Sequence, residues 1–235
     1  YSAKLTAYGS LKSAIEKFQT ANTALNDATL FKSSITTSST ADLGVATTAG
    51  AAAGKYTISV TQLAQAQSQA TSGLTSATDK QSSTLSSDRK LIINQPGREK
   101  PLEIKLSDDQ TSLNGIRDAI NAADSGVSAS VIKNKDGEFQ LVISSTETGE
   151  DNKMTITVAG DQELSDKLIT GDKALKETIP AKNAELTINN IQVVSSSNTI
   201  KDNPEGVTLT LNKEVTNTTV SVTKSKENAT TALTA

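Results

Sequence analysis

Residues 54–67 read Gly54-Lys-Tyr-Thr-Ile-Ser-Val-Thr-Gln-Leu-Ala-Gln-Ala-Gln67. Tyr56, Ile58 and Val60 alternate with Thr57, Ser59 and Thr61, so a strand with one apolar and one hydroxyl face is expected. A second strand signal, Leu43 to Thr48, precedes it through Gly50-Ala-Ala-Ala-Gly54. An isolated strand pair is marginal in water, so these strands need partners from elsewhere. The same deficit recurs near the other end. There Leu186 to Ile188 turn through Asn189-Asn190 into Ile191 to Val194, followed by Val207 to Leu211 and Val220 to Val222. Pairing the two groups satisfies both and makes residues 68–182 an insertion between them.

Residues 1 to about 31 are expected to form a helix. Tyr1, Leu5, Tyr8, Leu11, Ile15, Phe18, Ala21 and Leu25 fall at steps of mostly three and four, one apolar stripe at helical period. Lys4, Lys12, Glu16, Lys17 and Gln19 occupy the other face. Such a helix is marginal alone, so the stripe needs a partner. One reading packs it on its own domain. The other places it in a coiled-coil-like bundle with a helix beyond this chain, and the lack of a second helix of similar length favours that. Residues 33–40 are Ser/Thr-rich, a pattern shared by linkers and by edge strands.

The inserted region opens with a polar, aperiodic run, residues 68–87, read as a domain junction. Then comes a compact unit. Leu91 to Ile93 turn at Gln95-Pro-Gly-Arg98 into Leu102 to Leu106, where Pro fixes φ and Gly permits positive φ. Thr111 or Ser112 is placed to cap a helix that carries Leu113, Ile116, Ile120 and Ala123 on one face, with Gly126 expected to end it. Val127 to Val131 hairpin at Asn134-Lys-Asp-Gly137 into Phe139 to Ile143, and Met154 to Val158 follow after a turn at Thr148-Gly149. The expectation is a helix covering one face of a single antiparallel sheet. A short helix is expected around Leu164 to Leu168, and Pro180 marks a boundary.

Composition agrees with several thin β cores. Six aromatic residues, three Tyr and three Phe, cannot anchor one large core in 235 residues. Ser (28) and Thr (33) make up about a quarter of the chain, the mix of half-buried strands and turns. The net charge is −3 with the charges well mixed, and no basic stripe suggests nucleic acid. No apolar run approaches the roughly 20 residues that span a bilayer, so no membrane insertion is expected. The chain opens at Tyr1 inside a helical pattern and is expected to be an internal piece of a longer protein.

No Cys and no His are present, which removes disulfides and Cys or His metal sites from this segment. Nucleophilic catalysis would need Ser with Lys or a carboxylate. Ser-x-x-Lys occurs at Ser87/Lys90, Ser130/Lys133 and Ser221/Lys224, close to the roughly two that chance supplies at this content. Two of these pairs lie on expected strands, where i and i+3 face opposite ways. Glu147, Glu150 and Asp151 lack calcium-loop spacing and read as a solvated hairpin tip. Asn217-Thr-Thr and Asn228-Ala-Thr match the glycosylation pattern at a frequency this Thr content explains. The expectation is a non-enzyme with no catalytic residue, no metal and no cofactor.

Four blocks carry a resemblance. Leu5-Thr-Ala-Tyr-Gly-Ser-Leu-Lys-Ser-Ala14 with Phe18 to Leu25 is similar to the amino-terminal leg helix of the bacterial flagellar filament cap family (the FliD type, hook-associated protein 2). The Gly54 to Gln67 block follows in the family's order. Ser112-Leu-Asn-Gly-Ile-Arg-Asp-Ala-Ile-Asn121 with Gly126-Val-Ser-Ala-Ser130 resembles the insert motif of flagellin-type proteins. Ala184 to Ile191, Ser197 to Ile200 and Gly206 to Leu211 resemble the start of the family's carboxy-terminal region. Residues 68–90 fall outside the likeness.

The resemblance implies a structural protein at the distal tip of the flagellum, exported through the flagellar type III apparatus. It would form a homo-oligomeric ring that retains flagellin and promotes its insertion. Flagellin, further copies of itself and hook–filament junction proteins are the implied partners. A related filament or junction component, and a surface adhesin module binding host glycans, are the competing readings. The expected fold is mainly β with some α (α+β): two β-rich head domains, the outer inserted in the inner, and a helical leg. The boundaries are 1–38 plus 228–235 for the leg, 39–67 plus 183–227 for the inner head and 68–182 for the outer head. Leu11, Ile15, Phe18 and Leu25 are expected to pack against leg helices beyond the chain. Without those helices this piece is expected to keep head-to-head contacts and lose filament binding.

Overall fold

A computed structural model describes residues 2–26, 34–48 and 50–224. In chain order it forms α1 (Ser2–Leu25), β1 (Ser34–Ser38), β2 (Leu43–Thr47), β3 (Gly54–Gln62), β4 (Ser68–Ala70), β5 (Lys90–Asn94) and β6 (Leu102–Lys105). There follow α2 (Leu113–Ala123), β7 (Val127–Lys133), β8 (Phe139–Ser145), β9 (Thr155–Ala159), α3 (Gln162–Ser165) and β10 (Lys176–Ile179). The chain closes with β11 (Ala184–Ile188), β12 (Ile191–Ser195), β13 (Thr199–Ile200), β14 (Val207–Leu211) and β15 (Val215–Lys224). The fold is mainly β with some α. Two compact units divide it: Tyr1–Ser59 with Thr187–Ile191 and Thr199–Ala235, and Val60–Leu186 with Gln192–Asn198.

The strand count left β3 without local partners, and the structure supplies distant ones. β3 lies between β15 and β11 in a five-stranded sheet of order β1-β15-β3-β11-β12. Asn189 and Asn190, at φ +49° and +64°, turn β11 into β12. Positive φ at both central residues is the geometry of a tight hairpin turn that Asn tolerates. The Thr57 amide donates to Asn189 Oδ1, and the Asn189 amide donates to Thr57 O, both at 2.8 Å. A second sheet, β13-β14-β2, is antiparallel, with Leu43 opposite Leu211 and Thr47 opposite Val207. Leu43, Ile58, Ile188, Val207, Leu209, Leu211, Val220 and Val222 are buried. Residues 34–38 are an edge strand, not a linker: Ser34 pairs with Lys224 and Ser38 with Val220. Thr36 Oγ1 donates to Val45 O and Thr47 Oγ1 to Ser34 O, so hydroxyls join β1 to β2.

The second unit departs from the expected single sheet. Its strands form two, β6-β5-β9 and β10-β4-β8-β7. The reason lies in the polar run. Ser68–Ala70 forms β4 and pairs with β8, while β9 returns to β5 with Ile156 opposite Ile93. Residues 68–87 therefore lie within this unit, and part of the run packs inside it. Gln67, Ser68, Thr71, Gln81 and Ser82 are buried, and buried polar groups need partners. Thr71 Oγ1 accepts from the Leu141 amide at 2.9 Å, and Ser68 Oγ meets Ser144 Oγ at 2.8 Å. Gln67 Oε1 accepts from the Met154 amide at 2.6 Å.

α2 packs on β7, β8 and β6. Leu113, Ile116, Ala119 and Ile120 enter a core with Leu91, Ile93, Leu141, Ile143 and Leu164; each fully buried Leu or Ile contributes about 1.5–3 kcal/mol. Ser112 is the N-cap, its Oγ accepting from the Gly115 amide at 3.0 Å. The expected stop at Gly126 is corrected. Asp124, left-handed at φ +41°, ends the helix, and Gly126 lies in the turn beyond at φ +86°. A short polar side chain tolerates that conformation, so the stop came two residues early.

Candidate interaction surfaces

α1 carries the sequence-predicted stripe. Tyr8, Leu11, Ile15 and Phe18 recur at three, four and three residues and so share one face. They are 76%, 58%, 49% and 74% exposed. Their lane is flanked by Lys12, Glu16 and Gln19, which with Tyr8, Leu11 and Ile15 line a shallow groove of about 350 Å³. Thr20 and Thr23 turn their hydroxyls back onto Glu16 O and Gln19 O, which satisfies them within the helix. The side chain of Leu25, the expected helix beyond Asn26 and the 228–235 part of the leg lie outside the described residues.

Sequence reasoning missed a second surface, built on one arginine. Arg89 precedes β5 and its side chain is fully buried. Its Nε donates to Asp161 Oδ2 at 2.6 Å and its Nη1 to Asp108 Oδ1 at 2.9 Å. Its Nη2 donates to Thr84 O. Asp161 is also the N-cap of α3, with Oδ1 accepting from the Leu164 amide at 2.9 Å. Two residues on, Glu163 Oε2 accepts from the Ser83 amide at 2.9 Å and from the hydroxyls of Ser82, Ser83 and Thr84. Asp108 Oδ1 accepts from the Ser86 amide at 3.0 Å. Residues 82–89 are thus tied down on both sides of Leu85, whose side chain is 82% exposed.

The electrostatics follow from this arrangement. Burial pushes the Asp161 carboxyl up, but the Leu164 amide, the Ser82 hydroxyl and Arg89 together hold it below its ordinary value. Asp108 is lowered by the Ser86 amide and then by Arg89. Glu163 is lowered chiefly by the Ser83 amide and hydroxyl. Burial would lower Arg89, yet Asp161 and Asp108 raise it. All four groups are charged at neutral pH. A signal was present in the sequence: Arg89 is one of only three arginines and sits directly before an apolar strand.

Among the described residues no group of three or more His, Cys, Asp or Glu is placed to hold a metal, and no helix is long and apolar enough to cross a membrane. Ser130 and Lys133 lie on β7, Ser221 and Lys224 on β15.

Comparison with known proteins follows the same map. Residues 1–67 match the family described as Flagellar hook-associated protein 2 N-terminus, and residues 181–235 match its C-terminus. Residues 90–147 match the Flagellin hook IN motif. The flagellar hook-associated protein 2 of Salmonella typhimurium is 54% identical over 228 residues, 95% of this chain and 49% of the relative. That of Escherichia coli K12 is 48% identical over 206 residues, 86% of this chain and 44% of the relative. The chain spans about half the length of these relatives. The crystal structure of the E. coli flagellar cap protein FliD D1-D2-D3 domains superposes with a TM-score of 0.81 at 44% identity, covering 98% of this chain and 65% of that one. The E. coli FliD D2-D3 structure gives 0.75 at 41% identity, covering 82% of this chain and all of that one.

Proposed function

Since this chain belongs to the flagellar hook-associated protein 2 family, we propose that it is part of a structural cap at the distal tip of the bacterial flagellar filament. Copies assemble into a ring that retains exported flagellin and promotes its insertion. Its partners are further copies of itself, flagellin and hook–filament junction proteins. Its place is outside the cell, reached through the flagellar type III apparatus. It works by shape and association rather than by catalysis.

The observation that carries the reading is the likeness to FliD cap domains across nearly the whole chain, helix included. The division 1–38 plus 228–235, 39–67 plus 183–227 and 68–182 into leg, inner head and outer head is part of the proposal. So is the role of Leu11, Ile15, Phe18 and Leu25, which pack against leg helices from the other half of the protein. An apolar stripe exposed at this scale asks for such a cover. A ring multiplies weak contacts by symmetry, so modest patches on each copy suffice.

A deletion strain tests it. Loss of filaments with flagellin monomers in the medium, restored by the full-length gene, is the expected result. Intact filaments with reduced surface binding would overturn the cap reading in favour of an adhesin.

A further inference from the structure

We infer that the carboxamide of Asn121 guards the open edge of β7 and keeps it from pairing with β7 of a second copy of this chain.

The hydrogen bonds fix which groups of β7 face outward. Leu141 O accepts from the Thr71 amide, and the Ser145 amide donates to Gln67 O, so the odd-numbered residues of β8 turn their backbone groups toward β4. Bonded directions alternate along an antiparallel strand, so Gln140, Val142 and Ser144 bond to β7. Their opposites are Ile132, Ser130 and Ser128. Val127, Ala129, Val131 and Lys133 are left pointing away from the sheet. At Ala129 that direction is filled by Asn121, from the last turn of α2. The Ala129 amide donates to Asn121 Oδ1 at 2.8 Å, and Asn121 Nδ2 donates to Ala129 O at 2.9 Å. One side chain thus makes the two bonds that a residue of a neighbouring strand would make. With Ala129 covered, the outward groups from Val131 to Lys133 are a shorter run than an ordinary strand.

Satisfying the backbone does not explain this arrangement. Asn121 and its contacts are exposed, and water serves exposed groups as well. What the carboxamide adds is exclusion. The other edge of the same sheet is closed by different means: β10 shifts register between Glu177 and Ile179 and runs into Pro180. A bulge and a proline both blunt an edge. β7 has neither. Its seven residues pair with β8 in unbroken register. Its single charge, Lys133, stands at the far end with the ammonium 5.6 Å from the centre of the Phe139 ring. A regular edge of this kind is a template for strand addition. A second copy fits it because β7 is self-complementary. Turned antiparallel on its twin about Val131, it sets Ala129 against Lys133 and Ser130 against Ile132, and opposes no like charges. The pairs at both ends of that ladder use Ala129, the residue that Asn121 covers.

The test uses full-length protein with no other cysteine. Asn121→Ala should strengthen self-association about tenfold or more over the parent in analytical ultracentrifugation. In an Asn121→Ala background, Ser130→Cys and Ile132→Cys proteins, mixed and oxidised, should form a mixed disulfide; with Asn121 in place they should not. Val131→Pro takes away an amide that β8 does not use, a change an edge strand tolerates. Asn121→Ala combined with Val131→Pro should therefore return to the parent's association. Unchanged association in Asn121→Ala overturns the inference, because the carboxamide then guards nothing. Association that survives Val131→Pro also overturns it, because a loosened core is then what sticks. Ragged aggregates without the mixed disulfide overturn the second copy as the partner.

Discussion

Arg89 Nε lies 2.6 Å from Asp161 Oδ2, and both side chains are fully buried. Breaking a buried ion pair from one side strands the other charge in the interior, at a cost of about 3–5 kcal/mol. Asp161→Ala should therefore destabilise the second unit by about that amount in urea unfolding. It also removes the α3 cap, so the effect belongs at the upper end. An effect under about 1 kcal/mol would mean that the pair is hydrated in solution.

The acid side of the stability profile follows from the same groups. Asp161, Asp108 and Glu163 are all lowered from ordinary values of 3.8, 3.8 and 4.5. A lowered carboxylate contributes stability that is fully present above its unfolded value and is lost as pH falls through the folded one. The unfolding midpoint should stay flat from neutral pH to about pH 5 and drop below about pH 4. With no His in the chain, no side chain has an ordinary value between those limits. Asp161→Asn should flatten the acid limb; an unchanged slope would remove Asp161 from this account.

On α1 the effect of one substitution depends on what surrounds it. Ile15 is 49% exposed here, so Ile15→Asp in this chain alone should change stability by no more than about 0.5 kcal/mol. In the full-length protein the same change should lower helicity and the melting temperature, because the charge would enter a helix–helix seam. Identical behaviour in the two proteins would argue against a leg partner for the stripe.

The turn at Asn189 is the cheapest place to probe the sheet. Asn189→Ala loses the acceptor for the Thr57 amide and places Ala at φ +49°. A cost of about 1–2 kcal/mol is expected from the left-handed conformation alone. Asn190→Gly, which removes a side chain at φ +64°, should be neutral or stabilising. Equal losses from both would point to a different turn in solution.

At α2, Ser112→Ala removes the acceptor for the Gly115 amide and should cost about 1 kcal/mol. Thr111, the other residue the sequence offered as a cap, is fully buried, with its hydroxyl on Ser82 O. Thr111→Ser, which keeps that hydroxyl, should be the milder change. The reverse order in thermal melts would exchange their roles.

How much was legible depends on the kind of signal. β3, β7 and β8 were read from alternation, and α2 from period and cap, because each element's own residues carry those patterns. β4, β10 and β13 were missed. Ser68–Ala70 has no apolar alternation, and all of Lys176–Ile179 is exposed. Such strands exist because a neighbour offers an open row of backbone groups. The single-sheet expectation failed for the same reason: nothing in residues 68–70 announces that they will take the place beside β8. The stripe of α1 was read from its spacing, while the Arg89–Asp161 pair, separated by 72 positions, was not.

Periodicity, turn residues and a shortage of local strand partners determined, from the sequence alone, the periodic elements, the pairing of residues 43–64 with 186–222 and the apolar stripe of α1. Those are properties of short segments and of counting. Tertiary structure alone decided that the inserted region has two sheets, that Ser68 and Ser82 of a Ser-rich run are interior, and that Leu85 stands on a locked loop. Each of these depends on hydrogen bonds between groups distant in the chain, and no local pattern records which distant donor will meet which acceptor.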